Sequence, residues 1–338
     1  TTSRFQNVPF QPDFSYNVLR ADFDTLLLRH AAQTGAAVYE HYTVEDVQVQ
    51  PDQVRARVRG PQDTQHTVQA ACLVDASGRS AFLGGRLGQR QPIPGLGRVA
   101  LFAHFRGVAR EPDIPAGNIR IHIVPGGWLW WIPFADGTDS LGCVLHARAA
   151  RARQGSIEQL FASALASAPH LTKCFEGAER LSPVRSAANF SYHVVPAVGD
   201  RFIAVGDALS FVDPIFSAGV FFAMRSAELA TEAILRAFEH RDFRARQFRG
   251  YAARMRWGMR PILTLIRRFY DPSLLDLFFS PDPPPYFFRC VVWVLSGAAF
   301  DHQPWWMRLG LQLFWKIIAI RRGIRWCTGQ STESRWYW

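Results

Sequence analysis

Residues 201–219 read Arg-Phe-Ile-Ala-Val-Gly-Asp-Ala-Leu-Ser-Phe-Val-Asp-Pro-Ile-Phe-Ser-Ala-Gly, and the reading of the fold turns on them. Residues 201–205 form a short apolar strand that stops at Gly206-Asp207. Glycine lets the backbone come close to a ligand, and Asp207 offers an acceptor where the strand ends. A loop carrying Pro214 then leads to Gly219, which opens a strong helix over 219–239 built of Ala, Met and Leu. Such a helix start carries unpaired N–H groups and positive potential, which suit an anionic ligand. Strand, glycine turn and helix in this order make an α/β element. Taken alone, Asp207 equally fits a carboxylate that caps a loop.

Upstream, Phe23, Leu26, Leu27, His30 and Ala31 fall near 3.6-residue spacing and predict a helix over 22–35 that stops at Gly35. Three alternating stretches follow, over 43–49, 53–58 and 66–74, separated by turns at Pro51-Asp52 and Gly60-Pro61 in the manner of a β-meander. The last feeds into Asp75-Ala-Ser-Gly78, a strand ending in a tight turn. From about 99 to 191 longer strands (119–124, 128–134, 141–147) predict a second sheet, interrupted by a helix over 157–168. Beyond Arg241 the chain reads as helical and aromatic, broken at Pro272 and at the proline-rich 281–285. In the second sheet, Gly127-Trp-Leu-Trp-Trp-Ile-Pro133 places Trp128 and Trp130 on one face of a strand and Trp131 on the other. Two adjacent indoles make a rigid apolar wall, either plain core or the lining of a tunnel.

The W-x-W-x-I-P of Trp128, Trp130, Ile132 and Pro133, paired with G-D-A and F-x-x-P-x-x-S-x-G through Phe211, Pro214, Ser217 and Gly219, resembles the flavin-dependent halogenases, a branch of the FAD monooxygenases built like p-hydroxybenzoate hydroxylase. The resemblance implies an FAD/NAD(P)-binding Rossmann-like α/β domain (1–95 and 196–240), an inserted antiparallel substrate sheet (96–195) and a C-terminal helical region (241–338). It implies that Asp207 bonds a ribityl hydroxyl of FAD, with Arg20, Asp75, Gly78, Gly206, Pro214 and Gly219 also around the cofactor. Arg20 equally reads as a solvated helix start. Amides of Ala218 and Gly219 match the family's halide-holding positions. Trp128, Trp130, Phe216 and Ser217 match the tunnel between flavin and substrate. Tryptophan halogenases carry Glu where this chain has Phe216, so the resemblance points instead to phenols, or to pyrroles tethered to carrier proteins. The implied chemistry takes reduced FAD from a separate flavin reductase and uses oxygen and halide to make hypohalous acid. An FAD-dependent hydroxylase or a geranylgeranyl-reductase-like enzyme of the same fold is the rival reading. So is a non-catalytic chain that retains no flavin.

The sequence contains no G-x-G-x-x-G and does not begin with Met. That suggests the first βαβ unit, with its pyrophosphate loop and the family's catalytic Lys, lies outside it. Neither of its two lysines, Lys173 and Lys316, stands in a matching context. The formal charge is +10, carried almost wholly by Arg, and no basic block with interleaved aromatics suggests nucleic acid. The charge fits an anionic partner such as FAD or an acidic carrier protein. Five widely spaced cysteines, with no C-x-x-C and no metal-like grouping, suggest a reduced, cytoplasmic protein. The apolar runs at 286–300 and 305–320 carry Arg289, Arg308 and Lys316 and are too short or interrupted to span a bilayer.

Overall fold

The computed structural model describes residues 16–152, 155–271, 273–275, 285–300 and 304–327. These form two compact units: one from the described residues of Thr1–Tyr39 and Arg98–Ala188, the other from those of Glu40–Gly97 and Asn189–Ser334.

The first unit is built on an antiparallel sheet in the spatial order Glu179–Arg180, Arg98–Arg106, Thr138–His146, Gly127–Pro133, Arg120–Val124, with Arg185–Ala188 also paired to Arg98–Arg106. Period-two alternation sends Leu101, Ala103, Phe105, Leu129, Trp131, Leu141, Cys143 and Leu145 into one core. The helices Ile157–Ala166 and Pro169–Cys174 cover that core with Phe161, Ala164 and Leu171. Fully burying one such large side chain contributes roughly 1.5–3 kcal/mol. Ser156 and Gln159 start the first of these helices with a reciprocal capping box, and Pro169 ends the apolar run two residues earlier than its periodicity suggests. The expected helix near the N-terminus spans Arg20–Gln33, but none of its residues is buried, and Leu26 is 65% exposed.

The second unit opens with the anticipated meander, Thr43–Val49, Val54–Arg59 and Gln65–Ala70. The stretch 66–74, however, is not one strand. It breaks after Ala70, and Leu73–Asp75 leaves the meander to pair in parallel with Phe202–Ala204. Arg201 explains the break: its guanidinium donates to the Ala71 carbonyl and its own carbonyl accepts from the Leu73 amide. That parallel pair, joined by Val198–Gly199, is the Rossmann-type element of the unit. A further sheet joins Arg90–Pro92, Tyr192–Val194 and Ser210–Phe211. Two long helices follow, Gly219–Glu239 and Ala245–Phe269, and pack on each other. Helices Pro285–Leu295 and Trp305–Cys327 complete the unit. Residues 272 and 281–284, where a helix break was expected, lie outside the described residues.

Candidate functional site

The parallel strand pair brings the two key turns together. Ala204 stands opposite Asp75 in the register, and the Val205 amide donates to the Asp75 carbonyl at 3.0 Å. Both strands therefore stop at the same level, and the turns that follow, Gly78–Ser80 and Gly206–Ala208, adjoin each other. Ligands of α/β sheets bind outside the carboxyl ends of such strands. Asp75 is buried, and its carboxylate accepts from the amides of Ser77 (3.1 Å) and Leu83 (2.9 Å). That carboxylate shapes the turn. Asp207 is half-buried, and its carbonyl accepts from the Tyr192 hydroxyl at 2.6 Å.

Gly206 is at φ +55°, a left-handed conformation that strains any residue with a Cβ. Its amide donates to Ser226 Oγ (2.8 Å), and a Cβ there would stand 3.4 Å from the Ala223 Cβ. Ser226 is fully buried on the helix Gly219–Glu239, so the helix and the strand-end turn are fixed to each other. The Tyr251 hydroxyl donates to the Ala204 carbonyl at 2.6 Å, and burial pushes this phenol's pKa up. Arg90 lies over the Tyr192 ring at 3.9 Å, and burial raises the Tyr192 hydroxyl to about 12 despite that neighbouring cation.

From Ser210–Phe211 the chain enters the loop. Asp213 is buried, with Oδ1 accepting from the Ile215 amide (3.2 Å) and Oδ2 from the Tyr270 hydroxyl (2.7 Å). Pro214 begins a single 3-10 turn, Pro214–Phe216, and Ser217 follows at φ +51°. Left-handed backbone at a non-glycine residue persists only where its surroundings over-determine it. Phe216 supplies part of that hold, packing edge-on against Phe269 with ring centroids 5.4 Å apart. Ala218 then sits at the N-cap with no side-chain cap, ahead of the 21-residue helix that Gly219 opens. Around Gly219, and around Gly78 in the adjoining turn region, nothing stands within 4 Å of where a Cβ would be.

This arrangement fits a flavin. It combines a carboxylate at a parallel strand end, glycines with open space, and a long helix whose first amides have no side-chain cap. Asp207, Gly206, Pro214, Ala218 and Gly219 fall on one continuous strand–loop–helix, and Asp75 and Gly78 on the turn beside it. Arg20 belongs to the other unit, where it pairs with Asp24 at 2.9 Å and is well exposed.

Trp128 and Trp130 also lie in the first unit, on the strand Gly127–Pro133, with ring centroids 5.7 Å apart. Trp131 points the opposite way into the core, donating Nε1–H to Asp139 at 2.7 Å. Gly142, directly across from Trp130, has no room for a side chain: a Cβ there would lie 2.1 Å from the Trp130 ring. Trp130 Nε1–H donates to Ser140 Oγ at 3.1 Å, so its polar edge is satisfied.

Sequence reasoning missed Tyr192, Ser226, Tyr251 and Tyr270, the four groups that hold the strand ends and loop in place. Ser226 alone carried a signal, as a small polar residue on the buried stripe of an apolar helix. Among the described residues no cluster of His, Cys, Asp and Glu could hold a metal ion, and no helix is long and apolar enough to cross a membrane. Cys143, Cys174 and Cys290 are buried, and Cys72 is partly buried.

These features define a Rossmann-type flavoprotein with an antiparallel second sheet. Residues 3–274 match the sequence profile of the family described as tryptophan halogenase, and the chain belongs to that family. It is 32% identical over 280 residues to the 1H-pyrrole-2-carbonyl peptidyl-carrier-protein chlorinase of Pseudomonas fluorescens, covering 80% of this chain and 62% of that protein. It is 33% identical over 299 residues to the corresponding brominase of Pseudoalteromonas luteoviolacea, covering 86% of this chain and 72% of that protein. Among solved structures, the flavin-dependent brominase Bmp2 superposes with a TM-score of 0.79 at 31% identity, covering 89% of this chain and 77% of that one. The chain thus spans about three-fifths to three-quarters of the length of these relatives.

Proposed function

We propose that the protein works as a flavin-dependent halogenase on an electron-rich ring, a pyrrole held on a carrier protein being the substrate the relatives favour. The observation that carries this reading is the loop Asp213–Ala218, which runs from the strand-end turn to the uncapped start of the helix Gly219–Glu239 with a phenyl ring, Phe216, in the middle. FAD, reduced by a separate flavin reductase, would supply the activation of dioxygen, which is the oxidant that takes halide to hypohalous acid.

The protein's own part is binding, orientation and exclusion of water. Asp207 accepts from a cofactor hydroxyl, while Gly78 and Gly206 let backbone come close. Asp75 shapes the turn on which Gly78 sits, and Pro214 sets the course of the loop. The amides of Ala218 and Gly219 hold the halide, helped by the positive end of the helix. Phe216 and Ser217 present an apolar, uncharged surface beside it. A carboxylate at position 216 would suit an amino-acid substrate with its own ammonium group; a phenyl ring suits a neutral pyrrole or phenol. Within the first unit, Trp128 and Trp130 stand side by side as an apolar wall on the strand Gly127–Pro133. Arg20 pairs with Asp24 one turn along its own helix.

The test is a competition between substrates. With reduced FAD and bromide, pyrrole-2-carbonyl on a peptidyl-carrier protein is expected to gain bromine while free tryptophan does not. Bromotryptophan as the main product would overturn the substrate assignment.

A further inference from the structure

We propose that the helix Ala245–Phe269 is the docking surface for the acidic carrier protein that brings the substrate. The helix holds seven arginines and no Asp or Glu. Its inner face is locked by Phe248, Tyr251, Met255, Met259, Ile262 and Ile266. Of the arginines, Arg246 pairs with Asp242 and Arg254 with Glu232, and Arg268 lies over the Trp315 ring at 4.8 Å. The other four, Arg249, Arg256, Arg260 and Arg267, are exposed, and none is ion-paired with a described carboxylate. Their spacings of 7, 4 and 7 residues place them within roughly 20° of one line along the helix, over about 27 Å. Trp257, 41% exposed, flanks that line.

A solvated face disperses its charges and interleaves signs. A single-sign row on a helix pinned along its inner face, although Pro261 interrupts the helix between Arg260 and Arg267, has the charge pattern of a complementary surface. The row also ends at the site: two residues beyond Arg267, Phe269 packs on Phe216, and Tyr270 then bonds Asp213. A carrier protein holds its cargo through a phosphodiester-linked arm, so an anion stands where that arm leaves the domain. Docking on this row would bring the arm toward the loop that Phe269 and Tyr270 support. The proposal rests on the carrier-bound substrate of the preceding section.

The test uses a fluorescent peptidyl-carrier protein loaded with pyrrole-2-carbonyl, titrated with the full chain and with the triple variant Arg249→Gln, Arg256→Gln, Arg260→Gln. Glutamine keeps helix propensity, and all three sites are exposed, so the fold should stand. Exposed charge pairs are worth roughly 1.4- to 5-fold each. The triple variant is therefore expected to bind about tenfold more weakly, with a shallower salt dependence. KM for the carrier-bound ring should rise as much, with kcat unchanged. Binding within twofold of the unaltered protein, or insensitive to salt, would overturn the proposal. So would random duplex DNA that binds as tightly as the carrier and competes through the same arginines. Loss of carrier binding in the variant supports the docking surface even if the bound ring is never halogenated; that failure would show separately, as unmodified pyrrole on a bound carrier.

Discussion

The Tyr270 hydroxyl donates to Oδ2 of the buried Asp213 across 2.7 Å. It joins the residue just past one long helix to the loop that starts another, 57 positions earlier. Removing one partner of a buried hydrogen bond to a charged group costs roughly 1.5–3 kcal/mol. Tyr270→Phe is therefore expected to lower stability by about that much and to weaken FAD binding, since the loop it steadies carries the proposed halide and cofactor amides. Urea unfolding and flavin-fluorescence titration check the two effects. An unchanged FAD affinity in a destabilised variant would make Tyr270 a purely structural support.

Gly206 and Asp207 are adjacent but separable. Gly206→Ala places a Cβ at φ +55° and brings it to 3.4 Å from Ala223, so it should cost about 1–3 kcal/mol in stability. Asp207→Ala removes a half-buried carboxylate whose backbone carbonyl keeps its bond from Tyr192. It should weaken FAD at least several-fold, in proportion to one lost charge-assisted hydrogen bond. Calorimetric FAD titration of the two variants separates the roles.

The tryptophan strand gives a steric prediction. Gly142→Ala drives a methyl into the Trp130 ring, where the nearest carbon would lie at 2.1 Å. Overpacking of this kind costs about 1–3 kcal/mol, and tryptophan fluorescence should shift as the indole moves. Adding Trp130→Leu to Gly142→Ala should recover part of the loss. Were the double variant no more stable than Gly142→Ala alone, the clash would not be with the indole.

Acid should destabilise the fold in a defined window. Burial holds the imidazoles of His122 and His193 below the usual 6.5, with Arg267 also lowering His193. Below 6.5 the unfolded chain takes up protons that these folded-state sites resist, so ν in the unfolded state exceeds ν in the folded state. Stability is thus fully present above 6.5 and falls as the pH drops toward the lowered folded values. Urea midpoints at pH 7.5 and 5.5 should differ accordingly, and His193→Gln should flatten the slope. A midpoint that rises on acidification would contradict this.

Much of the local geometry of the candidate site was legible because its signals are local. Gly206-Asp207, the helix start at Gly219 and the opposite facing of Trp128 and Trp131 follow from backbone rules acting over a few residues. The escape of Leu73–Asp75 from the meander was not legible, because Arg201, some 130 residues away, makes that break. The same holds for Tyr192, Tyr251 and Tyr270, whose hydroxyls reach carbonyls or carboxylates 15 to 57 positions distant. Asp75 illustrates a subtler limit. Its position at a strand end was readable, but only the fold reveals that both oxygens serve the amides of Ser77 and Leu83. The apolar spacing over 22–35 predicted a helix, and Arg20–Gln33 forms one, yet none of its residues is buried, since periodicity says which face is apolar and not whether anything covers it.

The most direct measurement is a halide-omission experiment. The protein is supplied with reduced FAD, air and pyrrole-2-carbonyl on a carrier protein, with and without bromide, and the carrier is analysed by mass spectrometry. Bromine is expected to replace a ring hydrogen when bromide is present, and the ring is expected to stay unchanged without it. Oxygen added to the ring, or any product formed in the absence of halide, would contradict it and make the protein a hydroxylase on a halogenase scaffold.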